Sequence, residues 1–399
     1  MTLYSAWQHV HDRLQQRCDA GLWRTVHSRR EPQGPRQTLD RQLRLTFCSN
    51  DYLGLAGHPS VVAALEQGAR QYGVGSGGSH MVNGHCHVHH ELEEALADFL
   101  GRDRVLLFST GYMANTGILH ALIRQDGLVL HDALNHASLL DGGWLCRGES
   151  RRYPHGDIAA LDRMLGRSTA SHALVATDGV FSMDGDIAPL DGLVETAQRH
   201  EALLLVDDAH GIGTLGRGGR GIVECTGTGR LRTQQEVPLL VGTLGKSFGT
   251  SGAFVAGEAT LIDYLQQFAR SHVFTTAMPP ALASASLASL RLVREEGWRR
   301  ERLRQLIDRF RTGARELGLD ILESHTPVQA VLLGGASRAV QGSAILDRLG
   351  LHVPAIRPPT VPEQTARLRI TFSALHTDSQ VDQLLNGLEQ MQRRLEEEI

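Results

Sequence analysis

Lysine and arginine together number 40, yet the chain contains a single lysine, Lys246. Wherever a positive charge suffices, this chain uses arginine. Arginine stays protonated in proteins. An amine with a reference pKa of about 10.4 can be desolvated, deprotonated and made nucleophilic. A lone lysine therefore marks a position that requires an amine and not merely a charge. It sits in residues 237–249 (VPLLVGTLGKSFG), after a short apolar run and between glycines. That pattern predicts a buried strand ending in a tight turn rather than a solvated helix face.

An amine nucleophile needs an electrophile to act on, and other residues supply the parts of a site for one. Asp207 follows the run Leu203–Val206, where a carboxylate could pair with a protonated ring nitrogen and keep the ring an electron sink. His210, three residues on, could hydrogen-bond a ring oxygen. His136 could lie against a ring face. Gly111 and Tyr112 follow another apolar run and open a helical stretch, so their N–H groups suit a phosphate. Ser182 and Thr243 add hydroxyl donors. Taken together these are the components of a pyridoxal 5'-phosphate (PLP) site. His85 and His89 are four apart, the spacing of a helical metal pair. A polar helix start accounts for the histidines there, and no metal is expected.

The positioning elements can be read from periodicity. From Arg104 to Val255, short apolar runs alternate with amphipathic stretches: Val105–Ser109 then Tyr112–Ile123, Leu128–His131 then Ala137–Leu145, and His172–Thr177 then Pro189–His200. Ala202–Val206, Leu239–Thr243 and Gly252–Val255 are further strands. Such alternation predicts an α/β fold, a mostly parallel sheet with helices on both faces, and ligands at the carboxyl ends of the strands. Met278 to about Gly318 reads as long and helical. Glu295, Glu296, Arg299, Arg300 and Arg302 within it read as a solvated face. The last ~80 residues mix strands (Val328–Leu333, Arg367–Phe372) with helices (Ser337–Leu349, Asp378–Glu398), an α+β pattern. The expected organisation is an N-terminal segment 1–55, a large cofactor-binding α/β domain 56–290 and a C-terminal α+β domain 291–399.

Composition narrows the classes. Hydrophobic residues make up 41% and charged residues 21%, as in ordinary globular proteins. A net charge of -4 argues against a dedicated nucleic-acid binder. No apolar run approaches the ~18 residues of a membrane span, and residues 1–30 lack the apolar core of a signal peptide. Five scattered cysteines without a CxxC pair read as reduced thiols in a cytoplasmic protein.

With these residues in view, the chain resembles the α-oxoamine synthases, PLP enzymes of fold type I. The resemblance runs from about Phe47 to Thr377. It is carried by residues 49–55 (SNDYLGL), 75–79 (GSGGS), 177–186 (TDGVFSMDGD), 206–211 (VDDAHG), 245–249 (GKSFG) and 275–280 (TTAMPP). Residues 356–362 (IRPPTVP), followed by 366–370 (ARLRI), point to the branch that serves biotin synthesis. The resemblance implies a large mostly parallel sheet domain and a smaller C-terminal α+β domain. It implies that Lys246 holds PLP as a Schiff base, with Asp207 on the pyridine nitrogen, His210 on the ring oxygen and His136 stacked on the ring. Gly111 and Tyr112 would lie near the phosphate, with Ser182 and Thr243 as further cofactor contacts. Arg24, His136, Arg357 and Thr360 would contact substrate, Arg357 gripping the amino-acid carboxylate. The implied reaction is a decarboxylative condensation of L-alanine with a pimeloyl thioester, on CoA or an acyl carrier protein. Glycine or serine with another acyl-CoA is the alternative. The implied assembly is a homodimer with sites at the interface, where Thr275 and Thr276 would reach the partner's cofactor.

Overall fold

The computed structural model describes residues 7–225 and 230–397. Two short strands near the start, β1 (Arg36–Leu39) and β2 (Gln42–Thr46), precede the main sheet. That sheet comprises β3 (Arg104–Phe108), β4 (Gly127–Asp132), β5 (Glu149–Tyr153), β6 (His172–Asp178), β7 (Leu203–Asp207), β8 (Leu239–Thr243) and β9 (Ala253–Gly257). Its spatial order is β3-β9-β8-β7-β6-β4-β5. Only β9 runs antiparallel to its neighbours, β3 and β8; the pairs from β8 through β5 are parallel. The mostly parallel sheet expected from the sequence is therefore present.

The apolar runs become strands because both faces of the sheet are covered. Along each strand, alternate residues enter opposite cores. Leu107, Leu128, Leu130, Val175, Val206 and Leu240 face one core, while Leu106, Val129, Leu174, Leu205, Val241 and Val255 face the other. Helices Gly111–Leu122 and Ala137–Leu145 cover the second face through Ala114, Ile118, Leu119 and Leu139. Helices His87–Leu100 and Leu190–Arg199 contribute Leu92, Leu96, Leu193 and Val194 to the first. Strand β5 lacks an apolar run: four of its five residues are exposed and charged or polar. It closes the sheet as an edge protected by charge.

Outside this sheet, helix Pro280–Glu295 packs on helix Pro59–Tyr72. Gly68 permits the approach, since a Cβ there would lie 2.6 Å from Ser284 Oγ and 3.0 Å from Ala281 Cα. The long helical stretch expected from Met278 divides at Glu296–Gly297, and Trp298–Glu316 forms a second helix. Two residues of its charged run are not solvated. Arg299 and Arg300 are 5% and 6% exposed. Arg299 donates to Leu53 O at 2.8 Å and Arg300 to Val293 O at 2.7 Å. These guanidiniums satisfy backbone carbonyls of the large sheet's surroundings, which a charge count cannot reveal.

In the C-terminal part, β10 (Val328–Gly334), β12 (Ala355–Ile356) and β13 (Ala366–Thr371) form an antiparallel sheet in the order β10-β13-β12. The short β11 (Leu351–His352) pairs in parallel with β2, so the hairpin at the start of the chain joins the end. Helices Ala336–Arg348 and Asp378–Glu397 pack there. No described helix is long and apolar enough to cross a membrane.

Candidate active site

The parallel strands end along one edge of the main sheet, and the chemistry-bearing residues follow those ends. β3 leads to Gly111, β4 to His136, β6 to Ser182, β7 to His210 and β8 to Lys246. Register aligns them: Asp178 lies opposite Asp207, and Phe108 and Thr243 both lie opposite Ala253. Gly111, Tyr112, His136, Ser182, Asp207, His210, Thr243 and Lys246 line one cavity of about 190 Å³, together with Ser138, Asp178 and Ala209.

Lys246 stands in the turn after β8. Its Nζ lies 2.7 Å from His210 Nε2. His210 Nδ1 lies 2.7 Å from the hydroxyl of Tyr52, which donates to Asn50 Oδ1 at 3.1 Å. The directions follow from the last bond. The Tyr52 proton is spent on Asn50, so its oxygen accepts from His210 Nδ1–H. His210 Nε2 is then the acceptor for Lys246. Burial, followed by the nearby Lys246 charge, holds His210 well below the usual histidine range, which agrees with a neutral ring. Burial also pulls Lys246 down to about 8, against the opposing pull of Asp207 and Asp178 and with help from Arg369. The amine is thus poised near neutrality.

Asp207 is held by two donors: Asn115 Nδ2 at 2.6 Å on Oδ2 and Ala209 N–H at 3.1 Å on Oδ1. Asn115 also donates to Ser138 Oγ at 2.9 Å. Asp178 accepts the His136 N–H at 2.8 Å. Burial first, and the facing Asp207 second, raise Asp178 well above the carboxylate range. The two carboxyls face each other across the paired strands β6 and β7. His136 caps its helix, with Nδ1 accepting from Ser138 N–H at 3.2 Å. Burial lowers its pKa, opposed by Asp207. At the start of helix Gly111–Leu122, Thr110 caps Met113 N–H at 3.1 Å, and Gly111 and Tyr112 bring the first turn to the cavity wall. The Thr243 hydroxyl is already engaged, donating to Gly252 O at 3.1 Å and accepting from Gly245 N at 3.2 Å.

Arg24, Arg357 and Thr360 do not line this cavity. Arg357 Nη2 donates instead to the carbonyl of Trp23, the residue before Arg24, at 3.3 Å, and Thr360 N–H donates to Arg357 O at 3.1 Å. Several site residues were not singled out from sequence: Asn50, Tyr52, Asn115, Ser138, Asp178 and Arg369. Arg369, from β13, donates from Nε to Ser182 O at 2.6 Å and from Nη2 to Asn50 Oδ1 at 3.3 Å. Both Tyr52 and Arg369 lie in motifs quoted above, so the signal was present without a role attached to it.

The comparisons with known proteins agree with this geometry. A family model described as aminotransferase class I and II matches residues 44–388. The chain belongs to the class I and II aminotransferases. Within that family its relatives are α-oxoamine synthases. It is 55% identical over 376 residues to an 8-amino-7-oxononanoate synthase from Ectopseudomonas mendocina, covering 94% of this chain and 95% of the relative. To an enzyme of the same name from Thioalkalivibrio sulfidiphilus it is 52% identical over 385 residues, 96% of this chain and 97% of the relative. Among solved structures, a serine palmitoyltransferase variant from S. paucimobilis with bound PLP superposes with a TM-score of 0.91 at 32% identity, covering 99% of both chains. An 8-amino-7-oxononanoate synthase from Francisella tularensis superposes at 0.76 and 29% identity, covering 88% of this chain and 98% of that one.

The cofactor of this aminotransferase-family chain is PLP, and the donor set fits it. An amine near neutrality, a carboxylate fixed by two donors, an imidazole and a helix N-terminus converge on one cavity.

Proposed function

We propose that this chain is an 8-amino-7-oxononanoate synthase, condensing L-alanine with a pimeloyl thioester and releasing carbon dioxide and the free thiol. The observation that carries the reading is identity of 52–55% over nearly the whole of both chains, with the lone lysine of the sequence lining the cavity.

Lys246, Asp207, His210 and His136 would hold PLP, with Gly111 and Tyr112 toward its phosphate and Ser182 and Thr243 beside it. When bound, PLP supplies an electron sink for negative charge at the amino-acid α-carbon. Asp207 favours that role because two N–H donors hold its carboxylate in a fixed orientation. Lys246 Nζ takes the α-proton, since an amine near pH 8 is largely matched to neutral working conditions. His210 accepts from Lys246 and is fixed in one tautomer by Tyr52. Arg357 grips the amino-acid carboxylate, aided by Arg24 and Thr360. Arg369, nearer Ser182, is a second guanidinium for the same group. A bidentate fork suits a carboxylate in either case.

The acyl carrier is CoA or an acyl carrier protein. The assembly is a homodimer. Val82, Phe268 and Phe274 remain 83%, 52% and 70% exposed, and Thr276 bridges Ser79 beside them. Exposed apolar groups of this kind mark a contact face, and Thr275 and Thr276 would reach the partner's cofactor across it.

A second reading, serine with a long-chain acyl thioester, has one observation in its favour: the higher TM-score to serine palmitoyltransferase. Turnover of L-alanine, glycine and serine against pimeloyl, acetyl and palmitoyl thioesters separates the two. Highest kcat/KM with alanine and a pimeloyl thioester is the expected result. Preference for serine or glycine overturns the first reading.

A further inference from the structure

Five of the residues from His80 to His90 are histidines: His80, His85, His87, His89 and His90. The fold gathers several of them far along the chain from the lysine turn. Residues His80–Gly84 form one tight turn in which the N–H groups of Val82, Asn83 and Gly84 all reach Ser79 O, at 3.2, 3.3 and 2.8 Å. Gly84 is required, because a Cβ there would lie 2.1 Å from Gly78 O. The turn lays the His80 ring on His272, with centroids 4.8 Å apart and planes at 15°. It also sets His80 Nδ1 2.9 Å from His85 Nδ1. Helix His87–Leu100 presents His90 and Glu93 one turn apart. Glu93 Oε1 is anchored by Leu107 N–H at 3.1 Å, and its Oε2 lies 3.9 Å from His85 Nε2. Ligand atoms of His85, His90 and Glu93 all lie within 4.8 Å of one another. These residues share a cavity of about 220 Å³ distinct from the one at Lys246.

We propose that His85, His90 and Glu93 bind a divalent transition-metal ion of the zinc class. Two imidazoles and a carboxylate are a known three-ligand set for zinc, leaving one position for water. Such N/N/O donors favour zinc-like ions over magnesium or calcium. The outer contacts support the geometry. With an ion on His85 Nε2, the ring proton sits on Nδ1 and is donated to His80 Nδ1, 2.9 Å away, which fixes the ring as ligating histidines require. His80 is braced by His272, whose Nδ1–H donates to Leu107 O at 3.1 Å. The supports of His85 and Glu93 therefore both trace to Leu107 of β3.

His89, although near His80 and His85, is excluded as a ligand. Its Nδ1 accepts from Cys86 N–H at 2.9 Å and its Nε2–H donates to Met278 O at 2.8 Å. The sequence spacing pointed to His85 with His89; the fold replaces His89 by His90 and Glu93. His90 Nε2 lies 3.2 Å from Glu94 Oε1 in an exposed pair, which costs little to rearrange. Arg104 lines the same cavity, but its guanidinium is turned to Asp263.

The test is zinc binding to chelator-treated holoenzyme, followed with a competing fluorescent zinc indicator and by thermal melting. One zinc ion per chain and a higher Tm are expected for wild type. His85→Ala and Glu93→Gln each remove a ligand, so each should weaken binding by about 100-fold or more, beyond the ~10–100-fold cost of losing an outer contact, and abolish the Tm rise, while the exposed His87→Ala keeps both. If Glu93→Gln does not fold, the surface variant His90→Ala carries the same expectation. Absence of stoichiometric binding in wild type overturns the proposal. So does binding that survives in His85→Ala and His90→Ala, since the ion would then sit elsewhere.

Discussion

At the scale of single residues, the site depends on an amine whose charge the fold discourages. Replacing Lys246 by Ala or Arg should lower kcat with alanine and a pimeloyl thioester by about 10³-fold or more, because neither side chain can take the α-proton near neutral pH; steady-state turnover checks this. Burial pulls the folded amine down to about 8, below the ordinary lysine value of 10.5. Between those values the unfolded chain binds the extra proton, so stability of the cofactor-free protein should rise with pH across that window. Urea titrations from pH 7 to 11 on wild type and Lys246→Met isolate the effect: the rise attributable to this group should be missing in the variant. Tyr52→Phe removes the acceptor for His210 Nδ1–H. A buried unmatched donor costs about 1–3 kcal/mol of stability, and kcat should fall about tenfold if an orienting bond worth ~1.4 kcal/mol is lost in the transition state. Lys246 was legible in the sequence as the lone lysine, and Asp207 and His210 by their place at or just beyond the end of an apolar run. Tyr52 and Arg369 were not, because their partners are 158 and 187 residues away, and no local pattern encodes that separation.

At the scale of elements, the strands with apolar runs could be read and the edge strand could not. Glu149–Tyr153 is exposed along its length except at Tyr153, so it lacks the signal that burial imprints on sequence. The connection after it nonetheless helps to shape the site. His155 Nδ1 lies 2.9 Å from Asp132 Oδ1 and its Nε2 lies 3.0 Å from Asp186 Oδ2. Asp132 ends β4, ahead of His136, and Asp186 closes the loop that carries Ser182. Hydrogen bonds to these carboxylates raise His155 to about 10 from 6.5. A raised pKa gives stability that is complete below the unfolded value and lost as pH climbs through the folded one. His155→Ala should therefore cost about 2–3 kcal/mol at pH 6, with the difference from wild type shrinking between pH 6.5 and about 10. Denaturant midpoints at pH 6, 8 and 10 measure it.

At the scale of the whole molecule, the beginning of the chain folds with its end. β2 lies between β1 and β11, and Arg44 pairs with Asp347 at 2.9 Å. Leu45 is buried in the same core as Phe372 and Leu388. Parallel pairing of β2 with a two-residue strand some three hundred positions away carries no sequence signature, whereas the layered α/β body does. The exposed Phe274 makes its own prediction. Phe274→Glu should shift the protein from dimer to monomer in sedimentation velocity experiments, and a wild-type protein that sediments as a monomer would contradict the homodimer. The lone lysine also has a practical consequence for the intact molecule. An endoprotease that cuts only after lysine has one possible target, enclosed beside His210, so its cleavage would yield two fragments, and their rate of appearance would time the opening of the catalytic turn in the native protein.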